Sequence, residues 1–266
     1  IGNATNNVKA TFDGMGHTIS GIYINSTDSY QGLFGYLSPD DTVVIKNVKV
    51  ARSYIRGDSY VGGICGYMNF FNKIIGCESG ATMVGTQYTG GITGCVFNNS
   101  ELTDCRNTGR VTGGISTGGI AGSNSINGTI ARCVNQGTVS SASFTGGLVG
   151  VNDSVVSQSY NNGNVSGSGN YTGGICATNR GKIEHVYNSG SVSNGWPVCD
   201  QNFPGSSLTN VYYWGPPLNN GIHNHNGTGI PVNKSAEQFA SGEVAYLMGA
   251  LYGQTLSPGG DPLPVF

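Results

Sequence analysis

A pair of glycines followed by an aliphatic residue, a variable residue and usually a third glycine returns along this chain at almost constant spacing. The second glycines of four consecutive copies are equally spaced and define a 28-residue period, at Gly63, Gly91, Gly119 and Gly147. A fifth copy has its second glycine at Gly174, and an incomplete copy begins before the first, at Gly32. A period of this length indicates stacked structural units, each too small to bury its own apolar face.

Two further columns repeat with the glycines. The first pairs an aliphatic residue with a small or apolar one three positions later, in Ile19/Ile22, Ile45/Val48, Ile74/Cys77, Leu102/Cys105, Ile130/Cys133, Val156/Ser159, Ile183/Val186 and Leu208/Val211. The second places Asn and Gly two positions apart, in Asn107/Gly109, Asn135/Gly137, Asn161/Gly163 and Asn188/Gly190. Because Asn and Gly tolerate left-handed backbone angles, the Asn column predicts a corner, where stacked amides can form hydrogen-bonded ladders.

Apolar residues fall at the spacing of short strands, and the units contain no stretch rich in helix formers. We therefore predict an all-β fold, a single-stranded parallel β-helix (β-solenoid) of right-handed sense with about eight coils. Adjacent strands in such a stack lie ~4.8 Å apart. Residues 1–214 are assigned to the solenoid and residues 215–266 to a C-terminal cap or linker segment with a short helix.

The C-terminal segment contains helix signals. Asn233 or Ser235 can cap a short helix, and Val244, Leu247 and Met248 can form the apolar face of a second one. The last residues, 261–266, are predicted to be extended. Because the last coil of a solenoid exposes a backbone edge, we interpret this segment as the cover of that edge.

Composition restricts the partners. Only 10% of the 266 residues are charged, and the net charge is −2, so nucleic-acid binding is not expected. No apolar run reaches the ~20 residues of a membrane helix, so no membrane insertion is expected. The first residues, up to Thr11–Gly14, already resemble solenoid sequence, which favours a piece of a longer chain over a mature protein that has lost a signal peptide. The chain is predicted to be monomeric.

Three of the seven cysteines, Cys77, Cys105 and Cys133, recur at 28-residue intervals in the aliphatic column. Stacked positions are close enough for a disulfide, but parallel Cβ vectors would point the sulfurs alongside one another. We predict buried free thiols, with a bridge within the column, a reactive thiol or a metal site as the alternatives. Because no Cys-x-x-Cys or Cys/His cluster occurs, no metal site and no cofactor are predicted.

The Gly-Gly-Ile/Leu-x-Gly repeats, with an aromatic residue two or three positions before the diglycine, resemble the GLUG motif of bacterial surface proteins. The aromatic residues are Tyr60, Tyr88, Phe144 and Tyr171. The resemblance covers roughly residues 12–195 and departs from the motif at Ser116 and Ala177. Such repeats occur in secreted or wall-attached bacterial proteins, including adhesin-like proteins and non-catalytic regions of some immunoglobulin A peptidases. The resemblance implies an extracellular or cell-surface location and supplies no catalytic residues.

Candidates for chemistry are sparse. The fourteen acidic residues are scattered, whereas polysaccharide-cleaving β-helices need a carboxylate cluster. The adjacent acids at 40 and 41 fit a solvated loop better than a calcium site, and His223 and His225 fit a capping loop better than a metal site. His185 beside Glu184 is not expected to be catalytic. We predict no enzymatic activity; the alternatives are a carbohydrate-active β-helix enzyme and the non-catalytic spacer of a larger secreted peptidase.

An aromatic column is the better functional candidate. It places one ring per coil, with Ser116 as a gap, in Tyr30, Tyr60, Tyr88, Phe144 and Tyr171. Facing outward, these rings would form a strip able to bind a glycan or an extracellular protein. Facing inward or stacked on one another, they would form the packing of a corner, which the following glycines favour. We predict an adhesin-like surface module with these five residues as candidate binding residues.

Overall fold

The computed structural model describes residues 1–216, 219–254 and 263–265. Residues one sequence period apart are vertical neighbours in it, as the glycine repeat predicts. The N–H of Ile92 donates to the carbonyl oxygen of Ile120 at 2.9 Å, and the N–H of Ile120 donates to that of Leu148 at 2.8 Å. The strands of successive coils pair in parallel, with Thr93 opposite Ala121 and Ala121 opposite Val149. The predicted all-β parallel β-solenoid is therefore confirmed; its right-handed sense stays a prediction.

Each coil contributes several short strands. In chain order they are β1 (Phe12–Asp13), β2 (Thr18–Ser20), β3 (Tyr23–Asn25), β4 (Phe34–Tyr36), β5 (Val44–Lys46), β6 (Lys49–Arg56), β7 (Ser59–Gly62), β8 (Cys65–Met68), β9 (Lys73–Ile75), β10 (Glu78–Val84), β11 (Gln87–Gly90), β12 (Thr93–Val96), β13 (Glu101–Thr103), β14 (Arg106–Asn107), β15 (Val111–Gly118), β16 (Ala121–Asn124), β17 (Thr129–Ala131), β18 (Val134–Asn135), β19 (Val139–Gly146), β20 (Val149–Asn152), β21 (Val155–Asn161), β22 (Val165–Gly167), β23 (Thr172–Gly173), β24 (Cys176–Asn179), β25 (Lys182–Asn188), β26 (Val192–Ser193), β27 (Cys199–Asn202), β28 (Ser207–Tyr213), β29 (Ile222–His225) and β30 (Val232–Asn233).

One face of the solenoid is an eight-stranded sheet in the order β29-β27-β24-β20-β16-β12-β8-β4. Eight stacked strands enclose about seven complete turns, in agreement with the predicted length. The remaining strands form a 22-stranded sheet that makes up the other faces. β29 and β30 continue the parallel pairing beyond residue 214, and the division of the chain at that residue stays a prediction.

The aliphatic column fills the interior, and its members from the second to the seventh coil are fully buried. The first coil corrects the predicted column. Phe12, and not Ile19, lies opposite Ile45, whereas Ile19 lies opposite Val50. The sequence pattern missed Phe12 because it searches for an aliphatic residue at this position, and Phe12 is aromatic.

The Asn column forms the predicted ladder. Asn107 Nδ2 donates to Asn135 Oδ1 at 2.8 Å, and Asn135 and Asn161 each donate to the next amide at 2.7 Å, ending at Asn188. Each of these amides also bonds the backbone of the glycine two positions later, as at Gly137. Because the amides are fully buried, the ladder satisfies polar groups that would otherwise destabilise the interior.

A second amide ladder was not predicted. Asn124, Asn152 and Asn179 each donate to the next member at 2.8–2.9 Å, and the last acceptor is Asn202. Asn202 Nδ2 lies 3.0 Å from His225 Nδ1. The first three amides each stand five positions after the second glycine of a diglycine, a spacing that could have revealed the ladder from the sequence.

The seven cysteines are free and buried, as predicted. Burial raises the pKa of the Cys65 and Cys95 thiols to about 12. A thiol in this state is protonated at neutral pH and shielded from reagents.

Thiol labelling provides the test. We expect a water-soluble thiol reagent to leave the seven cysteines of the folded protein essentially unmodified, and to modify all seven in denaturant without reductant. Mass spectrometry before and after unfolding counts the labels. Two or more cysteines that resist labelling in denaturant until a reductant is added would contradict the free thiols.

The C-terminal helices are α1 (Ala236–Ala240) and α2 (Glu243–Met248). Ser235 caps α1, with Gln238 completing a capping box. On α2 the buried residues are Val244, Ala245 and Met248, so Ala245 takes the place predicted for Leu247.

The helices pack against the side of the solenoid, on a second aromatic column. A cluster of buried residues joins them to Val134, Tyr160, Tyr187 and Tyr212. The Tyr252 hydroxyl donates to the His185 carbonyl oxygen at 2.9 Å. The two helices therefore contact the side of the solenoid and form the small helical cap that was predicted; the covering of the last backbone edge by residues 261–266 stays a prediction. Of the predicted extended tail, only residues 263–265 are described, and Val265 pairs antiparallel with Gly253; residues 261, 262 and 266 lie outside the described residues.

Neither α1 nor α2, in the part of the chain that the structure describes, is long enough to cross a membrane.

Candidate functional site: an aromatic strip along one corner

The five predicted aromatic residues share one corner of the solenoid. Their φ angles lie between +50° and +64°, and Ser116 has a φ of +53° at the same corner. Bulky side chains rarely adopt left-handed angles, so the repetition of this conformation in six successive coils indicates that the fold imposes it there. The residues are Tyr30, Tyr60, Tyr88, Phe144 and Tyr171.

The last glycine of the repeat motif makes this corner possible. A Cβ atom at Gly94 would lie 2.6 Å from the Cα of Tyr60, and one at Gly122 would lie 2.6 Å from the carbonyl carbon of Tyr88. The corner backbone of one coil therefore packs directly on the glycine of the next. The glycine and the aromatic residue of the motif are two parts of one contact.

The rings stack on one another along the solenoid. Tyr30 and Tyr60 have ring centroids 5.2 Å apart, Tyr60 and Tyr88 4.9 Å, and Phe144 and Tyr171 4.8 Å, with interplanar angles of 3°, 8° and 19°. All five residues are half-buried. Because stacking covers ring faces, the strip presents mainly ring edges to solvent, an arrangement that corresponds to the mutually stacked alternative.

Sequence reasoning missed two tyrosines that widen the strip. Tyr36 and Tyr67 stack on each other at 5.1 Å, and Tyr67 contacts Tyr60 edge-on at 4.9 Å. Each directly follows the last glycine of a motif, but the next coils place Cys95 and Ser123 in this register. Two members in eight coils are too few to appear as a column. The aromatic strip is defined as Tyr30, Tyr36, Tyr60, Tyr67, Tyr88, Phe144 and Tyr171.

The strip is neutral and has hydrogen-bonding capacity. Within the described ranges, no hydrogen bond engages a hydroxyl of its tyrosines. Burial raises the pKa of Tyr60 to about 12 and that of Tyr67 further above its usual value. The hydroxyls of Tyr60 and Tyr67 are therefore protonated at neutral pH and can each donate and accept a hydrogen bond.

The raised pKa of Tyr60 predicts a pH dependence of stability. A tyrosine whose pKa rises on folding stabilises the folded chain below its unfolded pKa of about 10, and this contribution is lost as the pH rises to about 12. We expect the free energy of unfolding to fall across this window, and to fall less in Tyr60→Phe. Denaturant titrations at several alkaline pH values measure both. An identical decline in the two proteins would contradict the assignment.

A polar cluster lies near the C-terminal end of the solenoid and was also missed. His223 stacks on Trp196 with ring centroids 5.1 Å apart, and its Nδ1 lies 3.3 Å from Asp200 Oδ1. Gln201 Nε2 donates to the same carboxylate oxygen at 2.6 Å. His223 was predicted in a loop but lies on β29, directly above the coil of Asp200. Cys199 and Ile222, which directly precede Asp200 and His223, lie opposite each other in adjacent strands. Because their spacing is shorter than the 28-residue period, a search at that period does not show that Asp200 and His223 are neighbours.

The other candidates have local partners. Asp41 accepts a hydrogen bond from Ser38 at 3.2 Å, and His185 Nε2 lies 3.0 Å from Asn210 Nδ2. Glu184 pairs with Lys182 at 2.6 Å. Across residues 1–216, 219–254 and 263–265, no group of three or more His, Cys, Asp or Glu side chains could hold a metal ion.

Comparisons with known proteins agree with the repeat. A model of the GLUG motif matches residues 85–112. The fold is similar to the crystal structure of a candidate immunoglobulin A1 protease from Bacteroides ovatus, with a TM-score of 0.60 and 19% identity, over 96% of this chain and 76% of that chain. At this identity the similarity shows a shared fold. Comparison with curated proteins found no match. The resemblance to GLUG repeats is thus confirmed.

Proposed function

We propose that this GLUG-repeat β-solenoid is a non-catalytic binding and spacing module of a larger secreted or cell-surface bacterial protein, and that its aromatic strip binds a glycan. Its partner would be a host or environmental polysaccharide; an extracellular protein is the second kind of partner that the strip could contact. The proposal includes no cofactor, nucleic acid or membrane insertion.

One observation supports the proposal: along one corner of the solenoid, on either side of Ser116, the strip presents aromatic edges and unbonded tyrosine hydroxyls. Tyr67 connects its two columns, since its ring lies 4.9 Å from Tyr60 and 5.8 Å from Tyr30. Sugars offer both apolar C–H faces and hydroxyl groups, so an amphipathic aromatic surface suits them. A charged ligand would lack a counter-charge on the rings themselves.

A serine scan tests the proposal. Tyr60→Ser removes the centre of the strip, and Ser116 shows that serine fits this corner. We expect wild-type protein to bind members of a glycan array and Tyr60→Ser to lose at least tenfold in affinity for them. Tyr246→Ser is the matched control, because Tyr246 is a tyrosine on α2 that is 85% exposed.

Two outcomes would overturn the glycan assignment. The first is a wild-type protein that binds no glycan on the array. The second is binding that Tyr60→Ser and Tyr246→Ser weaken equally, since the loss would then be unrelated to the strip.

A second candidate function is the non-catalytic spacer of a secreted peptidase, which the name of the Bacteroides ovatus neighbour favours. In that case the solenoid would position an active domain and bind no glycan. Comparison of peptide-bond cleavage by the full-length protein with and without residues 12–195 tests it. Cleavage that requires these residues only for access to a large substrate, and not for a small peptide, would support the spacer.

A further inference from the structure

A stacked pair of tyrosines lies outside the aromatic strip, on the first two coils. Tyr23 and Tyr54 are opposite each other in β3 and β6, with ring centroids 5.5 Å apart and an interplanar angle of 23°. Tyr23 is 73% exposed. In the next coil the residue opposite Tyr54 is Thr82, which has no ring. The stack therefore ends at Tyr54, and the ring face of Tyr54 that Tyr23 does not cover lies on the side of Thr82.

A surface cavity of about 400 Å³ lies at the end of this stack, and its lining includes Tyr54, Gly80 and Thr82. Gly80 and Thr82 are small and leave room beside the tyrosine ring. The volume falls within the roughly 300–1,000 Å³ of small-molecule sites. The cavity thus has the size of a ligand site and one aromatic wall.

Arg52 borders the cavity at a β-bulge. Strand β6 takes three steps, from Ala51 to Tyr54, where the facing strand β10 takes two. The Ser53 hydroxyl holds the bulge, because it donates to the Ala51 carbonyl oxygen at 2.8 Å and accepts from the Ile22 N–H at 3.1 Å. Arg52 has a left-handed φ of +45° there. Bulges redirect side chains and recur beside binding sites.

The cavity carries uncompensated positive charge. Among the residues that the structure describes, the guanidinium groups of Arg52 and Arg110 have no hydrogen-bond or ion-pair partner. Arg110 is exposed and stands one coil beyond Thr82. The described lining contains no acidic residue, and Glu78, at the start of β10, is paired with Lys49 at 3.7 Å. A free guanidinium presents a fork of N–H donors that suits an oxyanion.

We propose that this cavity binds a pyranose ring that carries an acidic group, within a polysaccharide. The apolar C–H face of the sugar packs on the free ring face of Tyr54, and the acidic group pairs with Arg52. The inference rests on the proposed glycan function and adds a second site with a substrate class of its own. The aromatic strip offers no counter-charge and suits neutral sugars, whereas this cavity selects acidic ones.

One polysaccharide in two charge states tests the proposal. We expect polygalacturonate to bind, and the same polymer with its carboxylates methyl-esterified to bind at least tenfold more weakly. Arg52→Gln removes the charge, and Thr82→Tyr covers the free face of Tyr54 without removing any group of the site. Each should lower the affinity for polygalacturonate at least tenfold. Arg56→Gln is the matched control, because it makes the same change at an exposed residue of the same strand outside the cavity lining; it should alter affinity by twofold at most.

The acidic group is identified by comparing polygalacturonate with dextran sulfate, since preference for one of them assigns a carboxylate or a sulfate. Three results would overturn the site. The first is equal binding of the acid and its methyl ester. The second is an equal effect of Arg52→Gln and Arg56→Gln. The third is displacement of polygalacturonate by polyglutamate at the same charge concentration, which would show a response to any polyanion.

The Tyr60→Ser variant separates this site from the aromatic strip. Polygalacturonate binding that is lost in Tyr60→Ser and retained in Arg52→Gln would place the acidic chain on the strip; it would keep the glycan function and overturn the second site. Neutral glycans that bind a wild-type protein with no affinity for either acidic polysaccharide would have the same meaning. Full polygalacturonate binding by Tyr60→Ser, with its loss in Arg52→Gln, would support two independent sites.

Discussion

The Ile120→Asp variant is expected to lose cooperative unfolding or to fail to accumulate as a soluble protein. Ile120 is fully buried, with Ile92 below it and Leu148 above it in the same interior column. A carboxylate there would have to remain charged among aliphatic side chains or take up a proton with a strongly raised pKa. The expected loss exceeds about 4 kcal/mol, which is exceptional for one substitution.

Ile115→Asp provides the matched control for that variant. Ile115 stands five positions earlier in the same coil and is among the exposed large hydrophobic residues. Its replacement should change the free energy of unfolding by no more than about 0.5 kcal/mol. Circular dichroism during thermal unfolding, with soluble yield, measures both variants. Similar melting curves for Ile120→Asp and Ile115→Asp would be incompatible with an inward-facing column at Ile120.

The interior of the fold was predictable because the coils repeat the same contacts. Ile92 and Ile120 each occupy the same position of the repeat, so their stacking could be predicted before any coordinates were known. Phe12 and the pair Asp200 and His223 could not be placed in this way. They belong to terminal coils, where the period lengthens, as between Phe12 and Ile45, or shortens, as between Cys199 and Ile222.

The candidate site was predictable only in part, for a related reason. The column of Tyr60 and Tyr88 follows from spacing, but the direction and stacking of the rings depend on a left-handed corner, which no residue type at that position signals. Tyr and Phe are unusual at positive φ, so residue preferences would predict a different backbone conformation here. The left-handed conformation is imposed by the packing of Gly94 on Tyr60 and of Gly122 on Tyr88. The edge-on contribution of Tyr67 comes from another strand and has no period to reveal it.

The Asn135→Leu variant is expected to lower the free energy of unfolding by about 4 kcal/mol, because four hydrogen bonds with a net value of about 1 kcal/mol each are lost. Asn135 accepts from Asn107, donates to Asn161, and bonds the N–H and the carbonyl oxygen of Gly137. For a chain of this size the loss corresponds to a melting temperature lower by roughly 8 °C.

Two variants calibrate that expectation. Asn188 ends the ladder with three bonds of this kind, to Asn161 and to the two backbone groups of Gly190, so Asn188→Leu should be less damaging than Asn135→Leu by about 1 kcal/mol. Asn170 is exposed, and Asn170→Leu should change stability by no more than about 0.5 kcal/mol. Denaturant unfolding of the three variants gives the order of their free energies of unfolding. Equal free energies of unfolding for Asn135→Leu and Asn170→Leu would contradict a stabilising role of the buried amide ladder. Such a result would show that leucine can replace an amide with four hydrogen bonds without loss of stability.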